Sequence, residues 1–181
     1  MNTTMSAQET LPLDETNPCR LVLLSEGLAT HAAALEVGQR ILSRFDAELD
    51  FDLGIWTFSD LENLVSAHHA AEALARADIL VLSVSGHDLA AEASKWLESV
   101  AGRRCKSTGA LALTVGPSPN PDPFALRALV LRVSYLAIRL RMDFLPLLPP
   151  ETDPGTGWVE PLALQKAARE ESDNNHWGLN E

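Results

Sequence analysis

Ser85-Gly86-His87-Asp88 follows directly on the apolar run Ile79–Val84. His87 is the side chain of this tetrad that titrates near neutral pH, and Asp88 beside it suggests an acid/base pair. Adjacent side chains seldom face each other, so Asp88 is read instead as the cap of a helix that begins at Leu89. Ser25 and Ser85 each close an apolar run, where a nucleophile would stand. Neither lies in Gly-x-Ser-x-Gly, and no ordered triad can be read, so no catalytic residue is assigned. His68 and His69 are consecutive and would point about 100° apart on a helix, which a single metal ion does not tolerate. Cys19 and Cys105 make neither a metal spacing nor a disulfide framework, and they read as reduced, small core residues. No metal is expected, and enzyme or non-enzyme stays open.

Alternating apolar runs and amphipathic stretches would position these residues. Strands are predicted at 20–25, 52–58, 79–85, 109–115 and 143–148. Helices are predicted at 29–46, 61–77, 89–102 and 123–142. In the first helix Ala33, Val37, Ile41 and Phe45 recur every fourth residue, an apolar stripe of helical period. Ser59 or Asp60 would cap the second helix. Pro123 suits a helix's first turn, and Pro146 points to an edge strand. Continuous apolar strands are those buried on both faces of a parallel sheet. Right-handed crossovers then fold βαβαβαβαβ into a three-layer α/β/α sandwich with a five-stranded parallel sheet. Ligands bind such sheets where strands end and loops begin. That edge gathers Ser25, Glu26, Gly27 and Thr30 from the first loop, and Thr57 and Phe58 from the second. Ser85, Gly86 and His87 come from the third, and Gly116 and Ser118 from the fourth. Small hydroxyl and glycine residues let backbone N–H groups approach an anion; the same residues also make ordinary turns and caps.

The alternation over about 19–150 resembles the flavodoxin-like fold, strand order 2-1-3-4-5, in the manner of flavodoxins and flavin reductases. Leu24-Ser25-Glu26-Gly27-Leu28-Ala29-Thr30 stands where those proteins carry a phosphate loop; Ser25, Gly27 and Thr30 match it, whereas Glu26 and Leu28 depart from it. The resemblance implies FMN or a nucleotide, with Ser25, Gly27 and Thr30 on its anionic end and Ser85-Gly86-His87 along the ring. The ending His176-Trp177-Gly178-Leu179-Asn180-Glu181 also resembles that of bacterial proteins closing in His-Trp-Gly-(Ile/Leu)-Asn-(Glu/Asp), which implies no activity. A response-regulator receiver is rejected, because no phospho-accepting Asp ends the third strand and no Lys follows the fifth.

The 181 residues suit one domain and carry a formal charge of −11. Residues 1–17 hold −3 of it and 151–181 hold −5, so the acidity belongs to the ends. Acidic ends without basic-aromatic interleaving exclude a nucleic-acid receptor. Arg127, Arg132, Arg139 and Arg141 interrupt the longest apolar stretch, which excludes a membrane span. No signal peptide is read at the N-terminus, and the protein is expected in the cytoplasm. The organisation expected is a flexible arm at 1–18, the domain at 19–150, and a C-terminal extension at 151–181 docked on it. Within the extension 161–171 reads as a weakly amphipathic helix. Trp177 reads as an anchor for the tail, either back along the sheet or across the strand ends. Arg132 and Arg139 share a face that is solvated, docks the tail or forms a homodimer contact. Two functions stay open: a small anionic ligand bound at the strand ends, or a non-catalytic interaction domain with a degenerate pocket.

Overall fold

The computed structural model describes residues 18–45, 47–85, 88–116 and 122–148. Their order is β1 (Cys19–Ser25), α1 (Leu28–Phe45), β2 (Phe51–Thr57), α2 (Leu64–Ala75), β3 (Ile79–Val84), α3 (Ala91–Ala101), β4 (Ala110–Val115), α4 (Pro123–Arg139) and β5 (Asp143–Leu147). All strand pairs are parallel, and the sheet order is β2-β1-β3-β4-β5. This is the flavodoxin-like α/β sandwich expected from the alternation.

The central strands explain the layering. Leu80, Leu82 and Val84 of β3 point into a core shared with α2, α3 and α4, together with Val22, Leu24, Leu111, Leu113 and Phe144. Leu21, Leu23, Val81 and Ala112 point the other way, toward Ala34 of α1. Both faces of β3 are therefore buried, as its unbroken apolar run requires. Gly38 lets α1 approach β1 closely: an added Cβ would stand 2.9 Å from Leu23 Cδ1. β5 takes the sheet edge, where Pro146 is tolerated for want of an N–H.

Two expected caps are corrected. The second helix does not start at 61. A 3-10 turn, Phe58–Glu62, intervenes, capped by Thr57 and Asp60. α2 starts at Leu64, where Asn63 Oδ1 accepts from the N–H groups of Val65 and Ser66. Nor does Asp88 cap a helix. α3 starts at Ala91 behind Ala90, with no side-chain cap. Asp88 Oδ1 instead accepts from Leu89 N at 2.8 Å and from Arg132 Nη1 at 2.9 Å, joining α4 to the loop before α3. The burial of Leu89 explains the delay: its side chain is driven into the core before the helix begins. Arg132 thus engages the domain itself, and Arg139 donates to Tyr135 Oη at 3.3 Å.

Candidate functional site

The carboxyl ends of β1, β3 and β4 meet around the start of α1. Ser25, the last residue of β1, is 1% exposed, and its Oγ lies 3.1 Å from His31 Nδ1. Glu26 N donates to the Ser83 carbonyl at 2.9 Å. Gly27 N donates to Thr30 Oγ1 at 3.0 Å, and that hydroxyl returns to the Gly27 carbonyl, closing the turn into α1. Ser83 Oγ donates to the Thr30 carbonyl at 2.8 Å. Gly116 N donates to the Val84 carbonyl at 2.8 Å, and an added Cβ there would meet Thr30 Cγ2 at 3.3 Å. Ser25, Gly27, Thr30, Ser85 and Gly116 are thus brought together at one edge. Thr57 pairs with Ser25 in register on the neighbouring strand. Gly86, His87 and Ser118 lie outside the described residues.

The polar groups of this edge engage one another. Glu26 Oε2 accepts from Ser85 N at 2.6 Å, a charge-assisted bond that places a carboxylate across the end of β3. Thr57 Oγ1 donates to Asp60 Oδ2 at 2.7 Å, and Thr57 N donates to the same oxygen at 2.7 Å. That backbone bond first, and the hydroxyl second, hold the Asp60 carboxyl below the usual carboxylate range. An FMN phosphate needs unengaged donors and a positive field. The Gly27 and Ser85 N–H groups are already engaged, and Glu26 would oppose a dianion. The Glu26 carboxylate is thus what disfavours an FMN phosphate at the β1 turn.

Beside these strand ends a groove of ≈ 540 Å³ runs between the 3-10 turn and α3. Phe58, Leu61, Ala93 and Trp96 form its apolar walls, and Glu26, Glu62 and Glu92 are the charges on its lining. Phe58 was among the expected site residues. Glu62, Glu92 and Trp96 were not, although Glu92 and Trp96 stand four apart on α3 and so share a helix face. Around the same edge stand the large apolar side chains with the greatest exposure among the described residues: Leu28 at 89%, Leu64 at 88% and Phe124 at 84%. Each occupies the first or second position of its helix, α1, α2 and α4.

Among the described residues, no group of three or more His, Cys, Asp or Glu side chains could hold a metal ion. None of the described helices is long and apolar enough to cross a membrane. His68 Nε2 lies 3.5 Å from Glu72, one turn along α2, and His69 stands apart from it. Fold and edge together define a flavodoxin-like domain with a carboxylate in its first strand turn. No family model, curated protein or solved structure matches the chain.

Proposed function

We propose that the chain is a non-catalytic interaction domain whose binding face is the carboxyl edge of the sheet. The observation that carries this reading is the apolar rim. Leu28, Leu64 and Phe124 are more than four-fifths exposed at three different helix starts, all on one edge. Three large apolar side chains left in solvent at one edge support a recognition surface there. The groove beside the rim adds chemistry: aromatic walls with carboxylates suit a partner that presents apolar groups and a Lys or Arg. The compartment assigned is the cytosol, where the unpaired thiols of Cys19 and Cys105 would stay reduced.

A photo-crosslinking residue at position 64 tests the reading in cells. A discrete protein adduct is expected, absent when the probe stands at exposed position 40 and lost in Phe124→Asp. A purified chain that is yellow, with FMN bound one to one, would sink it.

That second outcome belongs to the other reading, a small anionic ligand such as FMN or a nucleotide. Its support is the convergence of Ser25, Thr30 and Gly116 at the strand ends. An absorption spectrum and an FMN titration of the purified protein separate the two.

A further inference from the structure

The sheet has two outer strands, and only one of them is blunted. β5 is five residues long and carries Pro146, which has no N–H to offer a further strand. β2 is seven residues long, and among the described residues it pairs with β1 alone. It holds no Pro and no Lys, the residues that commonly keep an edge from pairing. Its one charge, Asp52, is taken up inside the chain, where Arg20 Nε donates to Oδ2 at 2.7 Å. On the α2 side a pocket of ≈ 500 Å³ opens beside this edge. An added Cβ at Gly54 would run into Trp56 Cζ3 and Cη2, so the glycine lets the indole lie back along the strand over position 54. The arginines and carboxylates of the pocket balance, Arg20 and Arg76 against Asp52 and Glu72, in a chain whose formal charge is −11.

We propose that a second copy of this chain pairs antiparallel along β2, across a two-fold axis at Gly54, joining the two sheets into one. An axis perpendicular to the sheet keeps each face of both copies on its own side, so the register must set like face against like face. With the axis at Gly54 all seven residues find a partner. Leu53 then faces Ile55 of the partner subunit. Both lie on the α1 face, because Leu21 and Leu23, beside them in register, do. Asp52 faces Trp56 of the partner subunit, so no like charges meet. Gly54 faces its own copy, and the two indoles, each lying over its own Gly54, come side by side and close the pocket. Balanced charge favours a copy at this edge, whereas the groove of Glu26, Glu62 and Glu92 would repel one. A single strand of roughly 23 Å gives an interface at the low end of stable contacts, so the dimer dissociates on dilution. Within it the two carboxyl edges point in opposite directions, which gives one binding face at each end.

Sedimentation velocity of the intact chain tests the pairing over about a hundredfold range of concentration. A dimer is expected that dissociates at the dilute end. Its dissociation constant should rise at least about tenfold in Ile55→Lys, which sets a charge against Leu53. It should change less than about twofold in Leu145→Lys, a similarly exposed position on β5. Hydrogen exchange of the β2 backbone in the parent chain is a second reading that needs no variant to fold. It should slow about tenfold from the dilute to the concentrated end. A chain that is monomeric throughout would overturn the proposal. So would a dimer in which β2 exchange is unchanged. A dimer that folded Ile55→Lys leaves intact, or that Leu145→Lys weakens as much, would overturn it too.

Discussion

The two ends of the sheet differ in what surrounds their long-range hydrogen bonds. At the amino end they reach inward and join elements far apart in sequence. Asp78 accepts from Arg20 N at 2.9 Å and from Lys106 Nζ, while its own backbone bridges to Arg20 and Ala110. Arg104 is buried, and its guanidinium donates to the carbonyls of Leu74, Ala77 and Thr108. At the carboxyl end Ser85–Glu26, Ser83–Thr30 and Arg132–Asp88 bonds span as much sequence, yet they leave a groove and exposed apolar side chains facing outward. The amino end buries an arginine among backbone carbonyls, whereas the carboxyl end leaves large apolar side chains exposed. The glutamate in the β1 turn belongs to that difference, because it satisfies an N–H that a phosphate would otherwise approach.

The strongest way to break this contrast is at Arg104. Arg104→Met keeps an apolar stem and removes three donors from buried carbonyls. The expected loss is about 2–3 kcal/mol of stability, measured by denaturant unfolding. A loss below about 0.5 kcal/mol would put the amino end on a par with ordinary surface. Burial pulls the Arg104 pKa down, with the Asp78 charge opposing it. The residue still enters the fold as a cation, since guanidinium is charged throughout the accessible pH range.

Glu26→Gln probes the other end. The amide oxygen can still accept from Ser85 N, but without charge assistance. The expected cost is about 1 kcal/mol. The same change removes one negative charge from the groove. If the groove selects cations, Tm shifts caused by an added arginine ester should shrink in Glu26→Gln. A variant that instead gains tight FMN binding would show that the carboxylate alone had kept a phosphate out.

Asp60 gives a smaller, pH-dependent effect. Its carboxyl is held down by the Thr57 N–H and hydroxyl, so the ionised form is favoured by folding. That stabilisation is present above the unfolded carboxyl's pKa and fades as pH falls through the lower folded value. Asp60→Asn should therefore cost a few tenths of a kcal/mol at pH 7 and nothing once both forms are protonated. Unfolding curves at pH 7 and in strong acid check the convergence of variant and parent.

How much of this was legible in the residues depends on the range of each interaction. β3 was, because a short apolar run bounded by turn residues suits a strand buried on both faces; the sandwich followed from the alternation around it, and the sheet order from the resemblance to the flavodoxin-like fold. The Thr57-x-x-Asp60 box is also local, yet Ser59 or Asp60 was expected to cap the second helix and Thr57 to face a ligand, because the intervening 3-10 turn was not foreseen. Asp88 was misread for a different reason: its partner Arg132 is 44 residues away, and no local pattern announces it. Arg104 escaped notice likewise, its acceptors lying up to 30 residues off. The groove draws Glu26, Phe58 and Trp96 from three separate elements, and only the packing of α3 beside the 3-10 turn makes them neighbours.

The two thiols offer the gentlest test of the contrast, since neither joins the core polar network. Neither is the core residue expected: Cys105 is exposed, and Cys19 is half-buried at the start of β1. Burial first, and the Asp78 charge second, push the Cys19 thiol up, with Lys106 pulling the other way. The thiolate is the reactive form, so at mildly alkaline pH iodoacetamide should modify Cys105 on the order of tenfold faster than Cys19. A raised thiol pKa also means that the folded state keeps its proton longer than the unfolded chain does. Its contribution to stability is therefore present below the unfolded thiol's pKa and is lost as pH rises beyond it. Lys106→Ala sharpens the point. Removing the cation exposes Cys19 to Asp78 alone, and should slow its alkylation further. Faster alkylation in that variant would mean the Asp78–Lys106 pair had been shielding the start of β1 sterically, and that the amino end is held by packing more than by charge.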